Sequence, residues 1–83
     1  MCIDDPGPLL RYHRERASLS RRALSALSGV SETAIYDAEH GKPTVRLDTL
    51  LALLKALNLS LHVEGPLVAE YERTLAPSDD AHA

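Results

Sequence analysis

The sequence contains no tryptophan and no phenylalanine, which excludes a core built on the largest aromatic side chains. Leucine and alanine, which both favour helices, make up most of its apolar residues. A chain of this length buries only about 60% of the surface that it exposes when unfolded, so association with a second copy would add stability. The composition therefore predicts one small, mostly helical domain with an aliphatic core.

Sequence features of enzymes and of cofactor sites are also missing. The single cysteine, Cys2, excludes a disulfide within the chain, and the four histidines lack the spacing of metal ligands. We find no nucleophile elbow, no catalytic triad setting and no glycine-rich loop that would hold a phosphate. The sequence predicts neither an enzyme nor a bound cofactor.

No segment has the character of a signal peptide or a membrane span. Asp4, Asp5 and Pro6 stand where the apolar part of a signal peptide would lie. The longest apolar-rich stretch, residues 47–57, is too short to cross a bilayer and includes two charged residues. We expect a cytoplasmic protein with no membrane association.

The net charge of −3 hides an uneven distribution. Residues 11–55 contain eight basic and five acidic residues, which gives +3, whereas the two flanks contain seven acids and one arginine, which gives −6. A mildly basic body with acidic ends is compatible with a nucleic-acid-binding core and a separate interaction tail.

The first half of the chain predicts three helices with a short turn before the third. Residues 1–7 form a flexible arm, and Pro8 begins a helix that ends near residue 17. Ser20 and Ser31 are typical N-caps of the second and third helices. Gly29 suits the left-handed end of the second helix. Two short helices joined by a glycine-containing turn are the pattern of a helix-turn-helix.

The second half predicts a longer helix, a strand and a tail. Residues 47–57 form a helix whose apolar face contains five leucines, Leu47, Leu50, Leu51, Leu54 and Leu57. Residues 59–64 alternate apolar and polar side chains, which predicts a strand that needs a partner for its backbone groups. Residues 66–83 form an acidic tail with one short helix followed by disorder. The fold class is all-α, with four to five helices and a short C-terminal β-strand, and residues 8–65 form the domain.

The motif residues resemble a known family. Residues 19–25 and 29–31, together with Ile35, Glu39 and residues 41–43, resemble the Xre or phage-repressor type of helix-turn-helix. Within that family, residues 41–50 and 56–59 resemble the HipB-like antitoxins of toxin–antitoxin pairs. The first resemblance implies a lambda-repressor-like fold and DNA binding. The second implies a homodimer that binds operator DNA, with a cognate toxin as a further partner.

The resemblance also implies how the dimer forms and how the helices are held. In HipB-like proteins the strand segment pairs across a two-fold axis, which would bring Leu59, Leu61 and Val63 into the dimer interface. A two-fold dimer fits a palindromic operator. In the wider family, a carboxylate at the end of the third helix pairs with an arginine of the first, which implies an ion pair between Arg14 and Glu39.

Candidate DNA contacts follow from the position of the third helix in the major groove. The candidates for base edges and nearby phosphates on this helix are Ser31, Glu32, Thr33, Tyr36 and Asp37, of which Thr33 and Tyr36 are the favoured base contacts. The candidates for phosphate contact are Arg21, Arg22, His40, Lys42 and Arg46.

Several of these residues keep a second interpretation. Ser31 serves as a cap alone or as a cap and a phosphate contact. Glu32 either accepts a hydrogen bond from cytosine or only complements the positive end of the helix. Arg21 and Arg22 either bind phosphate or form a solvated basic start of the second helix.

Three functions fit these sequence features. The first is a sequence-specific autorepressor that binds DNA as a dimer, and the second is a protein-interaction module that neutralises a toxin with little DNA binding of its own. In the third, the acidic third helix has lost DNA binding. Salt separates these functions, because binding through several phosphates weakens steeply as salt rises.

Overall fold

The computed structural model describes residues 3–75, which form five α-helices. Their bounds are α1 Gly7–Arg16, α2 Arg21–Ser28, α3 Glu32–Glu39, α4 Leu47–Ala56 and α5 Val68–Leu75. This part of the chain contains no β-strand. None of its helices has the length and apolar character needed to span a membrane. The prediction of a mainly helical domain with a helix-turn-helix is confirmed.

The helix-turn-helix segment follows the predicted caps. Ser20 accepts a hydrogen bond from the Ala23 N–H, and Ser31 accepts one from the Ala34 N–H, so each serine satisfies a free donor at a helix start. Gly29 ends α2 with a φ of 77°, in the left-handed region that favours glycine. These caps fix where α2 ends and where α3 begins.

The start of α1 lies against the end of α3. A side chain in place of the Gly7 hydrogen would put its Cβ 2.5 Å from the backbone oxygen of Glu39, so only glycine permits this approach. The Gly7 N–H donates to the Asp5 carboxylate at 2.9 Å, which satisfies one backbone donor at the start of α1. The two helices are therefore held close at this point.

Four aliphatic side chains from the first four helices form the centre of the core. Leu10, Leu24, Ile35 and Leu53 are each at most 1% exposed, and Ala38 and Leu54 complete the buried cluster. Complete burial of such a side chain contributes about 1.5–3 kcal/mol relative to exposure. This small core fixes α3 against α1, α2 and α4.

The apolar face predicted for α4 is displaced from the face that is buried. Leu53 and Leu54 are buried, whereas Leu47 is 63% exposed and Leu51 is 43% exposed. The leucines of residues 47–57 cover roughly 160° of the helix, and the core contacts mainly the part near Leu53 and Leu54, so their spacing alone did not fix the direction of the core. The buried side follows the contact with α2 and α3.

The strand predicted for residues 59–64 is not formed in the single chain. Leu59 packs partly against the core, and its N–H donates to the Leu54 carbonyl at 2.8 Å as α4 ends. Residues 60–64 form no backbone hydrogen bond with another residue of the described range. An alternating segment without a neighbouring strand has no partner for its backbone groups, which is the physical reason for the difference.

The C-terminal region begins with the helix that the tail pattern predicts. Helix α5 contains no buried residue, and its side chains Tyr71 and Leu75 are 62% and 43% exposed. The disorder predicted for residues 77–83 lies outside the described residues, as do residues 1–2 of the predicted arm.

Candidate nucleic-acid interface

Helix α3 has one buried side and one exposed side. Ile35 and Ala38 are buried in the core, whereas Glu32, Thr33 and Tyr36 are exposed. The Ser31 hydroxyl is engaged as the cap of this helix, and the residue remains exposed. An exposed polar face on a helix fixed by its opposite side is the arrangement that enters a DNA groove.

Two acidic residues near α3 are paired with basic residues. The Lys42 ammonium lies 3.4 Å from the Asp37 carboxylate, and the Arg46 guanidinium lies 2.9 Å from the Asp48 carboxylate. All four side chains are at least partly exposed, so these pairs are solvated and exchange easily with other partners. Pairing offsets part of the repulsion that Asp37 would exert on a phosphate backbone.

The start of α2 offers hydrogen-bond donors that have no partner among residues 3–75. Arg22 is exposed and forms no ion pair with any of residues 3–75. The backbone N–H groups of Arg21 and Arg22 precede the first capped donor of α2, the N–H of Ala23. A helix start of this kind attracts phosphate through its N–H groups and its dipole.

The Arg21 side chain points toward α3. Its Nε and Nη2 atoms lie 3.2 Å and 3.1 Å from Glu39 Oε1, and its Cζ lies 5.1 Å from the centre of the Tyr36 ring. Arg21 therefore takes part in contacts within the fold that its neighbour Arg22 does not make.

The structure joins Arg14 of α1 to Glu39 of α3. The Arg14 Nε atom donates to Glu39 Oε2 at 2.5 Å, and its Nη2 atom donates to Oε1 at 3.1 Å. The Arg14 Nη1 atom donates to the Leu19 carbonyl at 2.8 Å, which also ties the segment before α2. A two-bond arginine–carboxylate contact is strong and directional. The contacts of Arg14 therefore link α1, the segment between α1 and α2, and α3.

Burial and pairing act on the Glu39 carboxyl in opposite directions. Its burial acts to raise the pKa, but hydrogen bonds and positive charge from Arg14 and Arg21 outweigh burial, so the pKa of Glu39 is lowered. The hydrogen bond that Arg14 donates to Glu39 raises the pKa of Arg14, and burial opposes that rise. Both groups are therefore charged in the folded protein at neutral pH.

Tyr36 and His40 lie one turn apart and stack. Their ring centres are 3.9 Å apart with an angle of 21° between the ring planes. The His40 Nδ1 atom lies 2.7 Å from the Tyr36 backbone oxygen, which fixes the histidine ring over the end of α3. Both residues are exposed, so the stacked pair forms part of the surface beside the loop at residues 41–46.

The three residues assigned to a dimer interface differ in exposure. Leu59 is partly buried against the core of its own chain, whereas Leu61 is 56% and Val63 is 73% exposed. Leu59 therefore already has a role within the single chain, and the other two are available to a partner.

Sequence patterns alone did not reveal the double contact of Arg21. The spacing of Tyr36 and His40 by four residues is a signal for a contact on one helix face. No such rule connects Arg21 with Glu39 and Tyr36, because that contact depends on how α2 packs on α3.

The described residues also contain no cluster of three or more metal-ligating side chains.

Together, the capped helices, the short turn and the exposed face of α3 define a helix-turn-helix protein. Comparison with known families agrees, because the family model described as helix-turn-helix matches residues 10–63. The match covers more than half of the chain. The chain belongs to the Xre-type helix-turn-helix family of DNA-binding transcriptional regulators.

Individual relatives carry names of the same kind. The chain is 34% identical over 62 residues to the "uncharacterized HTH-type transcriptional regulator y4mF" of Sinorhizobium fredii (strain NBRC 101917 / NGR234), covering 75% of this chain and 82% of that protein. It is 39% identical over 56 residues to the "HTH-type transcriptional regulator PuuR" of Escherichia coli (strain K12), covering 68% of this chain. A PuuR of Shigella flexneri matches to the same extent. The matched region spans only 30% of the length of PuuR.

Proposed function

We propose that the protein is a sequence-specific transcriptional repressor that binds operator DNA as a dimer, with α3 in the major groove. The observation that carries this proposal is the exposed polar face of α3 beside two sources of positive charge. These are the start of α2 and the loop at residues 41–46. Cations on either side of a recognition helix allow phosphate contacts to set its position while its exposed residues contact bases.

The exposed residues divide into base contacts and phosphate contacts. Thr33 and Tyr36 contact base edges, and Glu32 accepts a hydrogen bond from a cytosine amino group. Arg22, Lys42, Arg46 and the backbone at Ser31 contact phosphates, with His40 at the border of the same surface. Asp37 forms an ion pair with Lys42 in the free protein, and a phosphate replaces Asp37 as the partner of Lys42 when DNA binds.

The dimer forms through the segment that stays unpaired in the single chain. Residues 60–64 have free backbone groups, and Leu61 and Val63 are exposed beside them. Pairing of this segment with its two-fold copy satisfies those groups and removes apolar surface from water. The resulting two copies of α3 fit a palindromic operator with half-sites about one helical turn apart.

A second role as the antitoxin of a toxin–antitoxin pair rests on the surface of α5. Leu67, Tyr71 and Leu75 are exposed and line one apolar groove with Leu61 and Val63. The same helix carries Glu70 and Glu72, so it offers an apolar and acidic surface suited to a basic protein partner. In this role the chain neutralises its toxin and represses their shared operon.

A gel shift with DNA from upstream of the gene tests the repressor proposal. Binding to this DNA should exceed binding to scrambled DNA, and it should weaken by at least about tenfold between roughly 50 and 200 mM salt, because several phosphates are contacted. Absence of binding at low salt would contradict the proposal and favour a protein that acts through a protein partner alone.

A truncation after Gly65 separates the antitoxin role from the repressor role. It removes α5 and leaves residues 60–64 in place, so dimerisation and operator binding should persist while binding of the toxin encoded beside the gene is lost. Unchanged toxin binding by the truncated chain would contradict the role given to α5.

A further inference from the structure

The exposed Tyr36 ring is held by contacts with two other side chains. The Arg21 guanidinium carbon lies 5.1 Å from the ring centre, within the range of a cation–π contact. The His40 ring stacks on Tyr36 at 3.9 Å. Although Tyr36 is 49% exposed, its ring has fixed neighbours.

Arg21 also contacts a buried residue, Glu39. Its Nε atom donates to Oε1 of Glu39, and its Nη2 atom lies 3.1 Å from the same oxygen. The Glu39 side chain is only 1% exposed. Arg14 holds the same carboxylate from α1. A continuous set of contacts therefore runs from the buried ion pair to the exposed face of α3.

The same contacts reduce what Arg21 can offer to DNA. Its side chain is 32% exposed, compared with 55% for Lys42 and 79% for Arg46. Its charge lies beside a buried carboxylate, to which its Nε atom donates a hydrogen bond. Arg22, one residue along, is exposed and has none of these partners in the described range.

We propose that Arg21 is a positioning residue, which holds the Tyr36 ring in one orientation for base recognition and does not serve as a main phosphate contact. The proposal rests on the proposed repressor function and adds to it a residue that helps to discriminate between DNA sequences. A ring that is already ordered loses less freedom when DNA binds, so its contacts contribute more to discrimination between sequences.

The first test examines the free protein, without DNA. In the wild type, NMR couplings of Tyr36 should report one predominant χ1 rotamer, and in Arg21→Ala and Arg21→Lys they should report averaging among rotamers. Lysine keeps the charge near Glu39 but lacks the planar group, so Arg21→Lys addresses the contact if the alanine variant does not fold. Unchanged Tyr36 couplings in a folded variant would overturn the proposal.

The second test measures Kd for operator and scrambled DNA over a range of salt. Arg21→Ala should weaken operator binding about threefold to tenfold while leaving scrambled DNA binding and the salt slope unchanged. The effect should disappear in a Tyr36→Ala background, because coupled residues are not additive. The matched control Arg22→Ala should weaken binding to both DNAs alike and lower the salt slope by about one.

The outcomes distinguish the two proposals. Additive effects of Arg21→Ala and Tyr36→Ala, or a lower salt slope in Arg21→Ala, would overturn the positioning role and leave the repressor proposal intact. A third outcome is a wild type that shows one Tyr36 rotamer dependent on Arg21 but no preference for operator DNA. This result would support the Arg21–Tyr36 contact and refute its role in base recognition.

Discussion

Glu39 accepts hydrogen bonds from arginines of two other helices, Arg14 of α1 and Arg21 of α2. Its side chain is 1% exposed, and that of Arg14 is 9% exposed. Removing one member of such a group leaves a buried charge without its counterion, which costs more than the intact pair contributes. At the residue scale, Glu39 therefore controls how α1, α2 and α3 fit together.

Glu39→Gln should reduce the free energy of unfolding by about 3 kcal/mol or more, since the buried arginine loses its counterion. Urea denaturation followed by circular dichroism measures the change. The matched control is Glu15→Gln, because Glu15 pairs with Arg11 on the surface, where both side chains are 54% exposed. That substitution should cost less than about 0.5 kcal/mol. Equal losses in the two variants would contradict the structural role of Glu39.

The lowered pKa of Glu39 also predicts a dependence of stability on pH. The stabilising contribution is fully present above the pKa of the unfolded glutamate, about 4.3, and it is lost as the pH falls through the lower pKa of the folded protein. Melting temperatures measured from neutral pH down to pH 3 should fall more steeply in the wild type than in Glu39→Gln. Parallel curves for the two proteins would contradict the pKa direction.

At the scale of the elements, we expect α2 and α3 to make different contributions to DNA binding. The start of α2 supplies Arg22 and free backbone N–H groups, whereas α3 supplies Thr33 and Tyr36 on its exposed face. In the proposed complex, the first set contacts a backbone that is the same for every sequence, and the second contacts bases that differ. Affinity and sequence preference should therefore separate by helix.

Substitutions in the two helices test this separation. Arg22→Ala should weaken binding to all DNA sequences alike, whereas Thr33→Ala should change the preferred base pair at one position of each half-site. Binding-site selection followed by Kd measurement distinguishes these outcomes. Lys55→Ala removes an exposed positive charge outside the proposed interface and is the matched control for net charge. A loss of affinity in Lys55→Ala equal to that in Arg22→Ala would refute the proposed phosphate surface.

The positions of the helices were largely predictable from local signals, but their contacts were less so. Ser20, Gly29 and Ser31 mark helix ends because each satisfies a local backbone requirement. The buried side of α4 was predicted only in part, because the leucine face is wide and only the part at Leu53 and Leu54 is buried. The Arg21 contact with Tyr36 depends on the packing of two helices, and no pattern within one helix encodes it.

At the scale of the whole molecule, the described chain leaves a continuous apolar region uncovered at its C-terminal side. Leu61, Val63, Leu67 and Tyr71 are each more than half exposed, and α5 buries none of its residues. A small domain has a small core, so burial of the Leu61 and Val63 part of this region against a second copy would add stability. The proposed dimer would thus contribute to the stability of the repressor as well as to its geometry.

Val63→Asp should convert the proposed dimer into a monomer, because two carboxylates would face each other beside the two-fold axis. Sedimentation equilibrium should give twice the chain mass for the wild type and one chain mass for the variant. The control is Leu27→Asp, since Leu27 is also exposed, at 64%, but lies on α2. Val63→Asp sedimenting as a dimer would place the interface elsewhere.

Methylation interference at guanine N7 tests whether two copies of α3 enter the major groove of one operator, as we propose. N7 lies in the major groove, so a methyl group there blocks a helix that occupies the groove. We expect interference at two clusters of guanines about one helical turn apart on the same face of the DNA. Binding that tolerates N7 methylation throughout the operator would contradict the proposal.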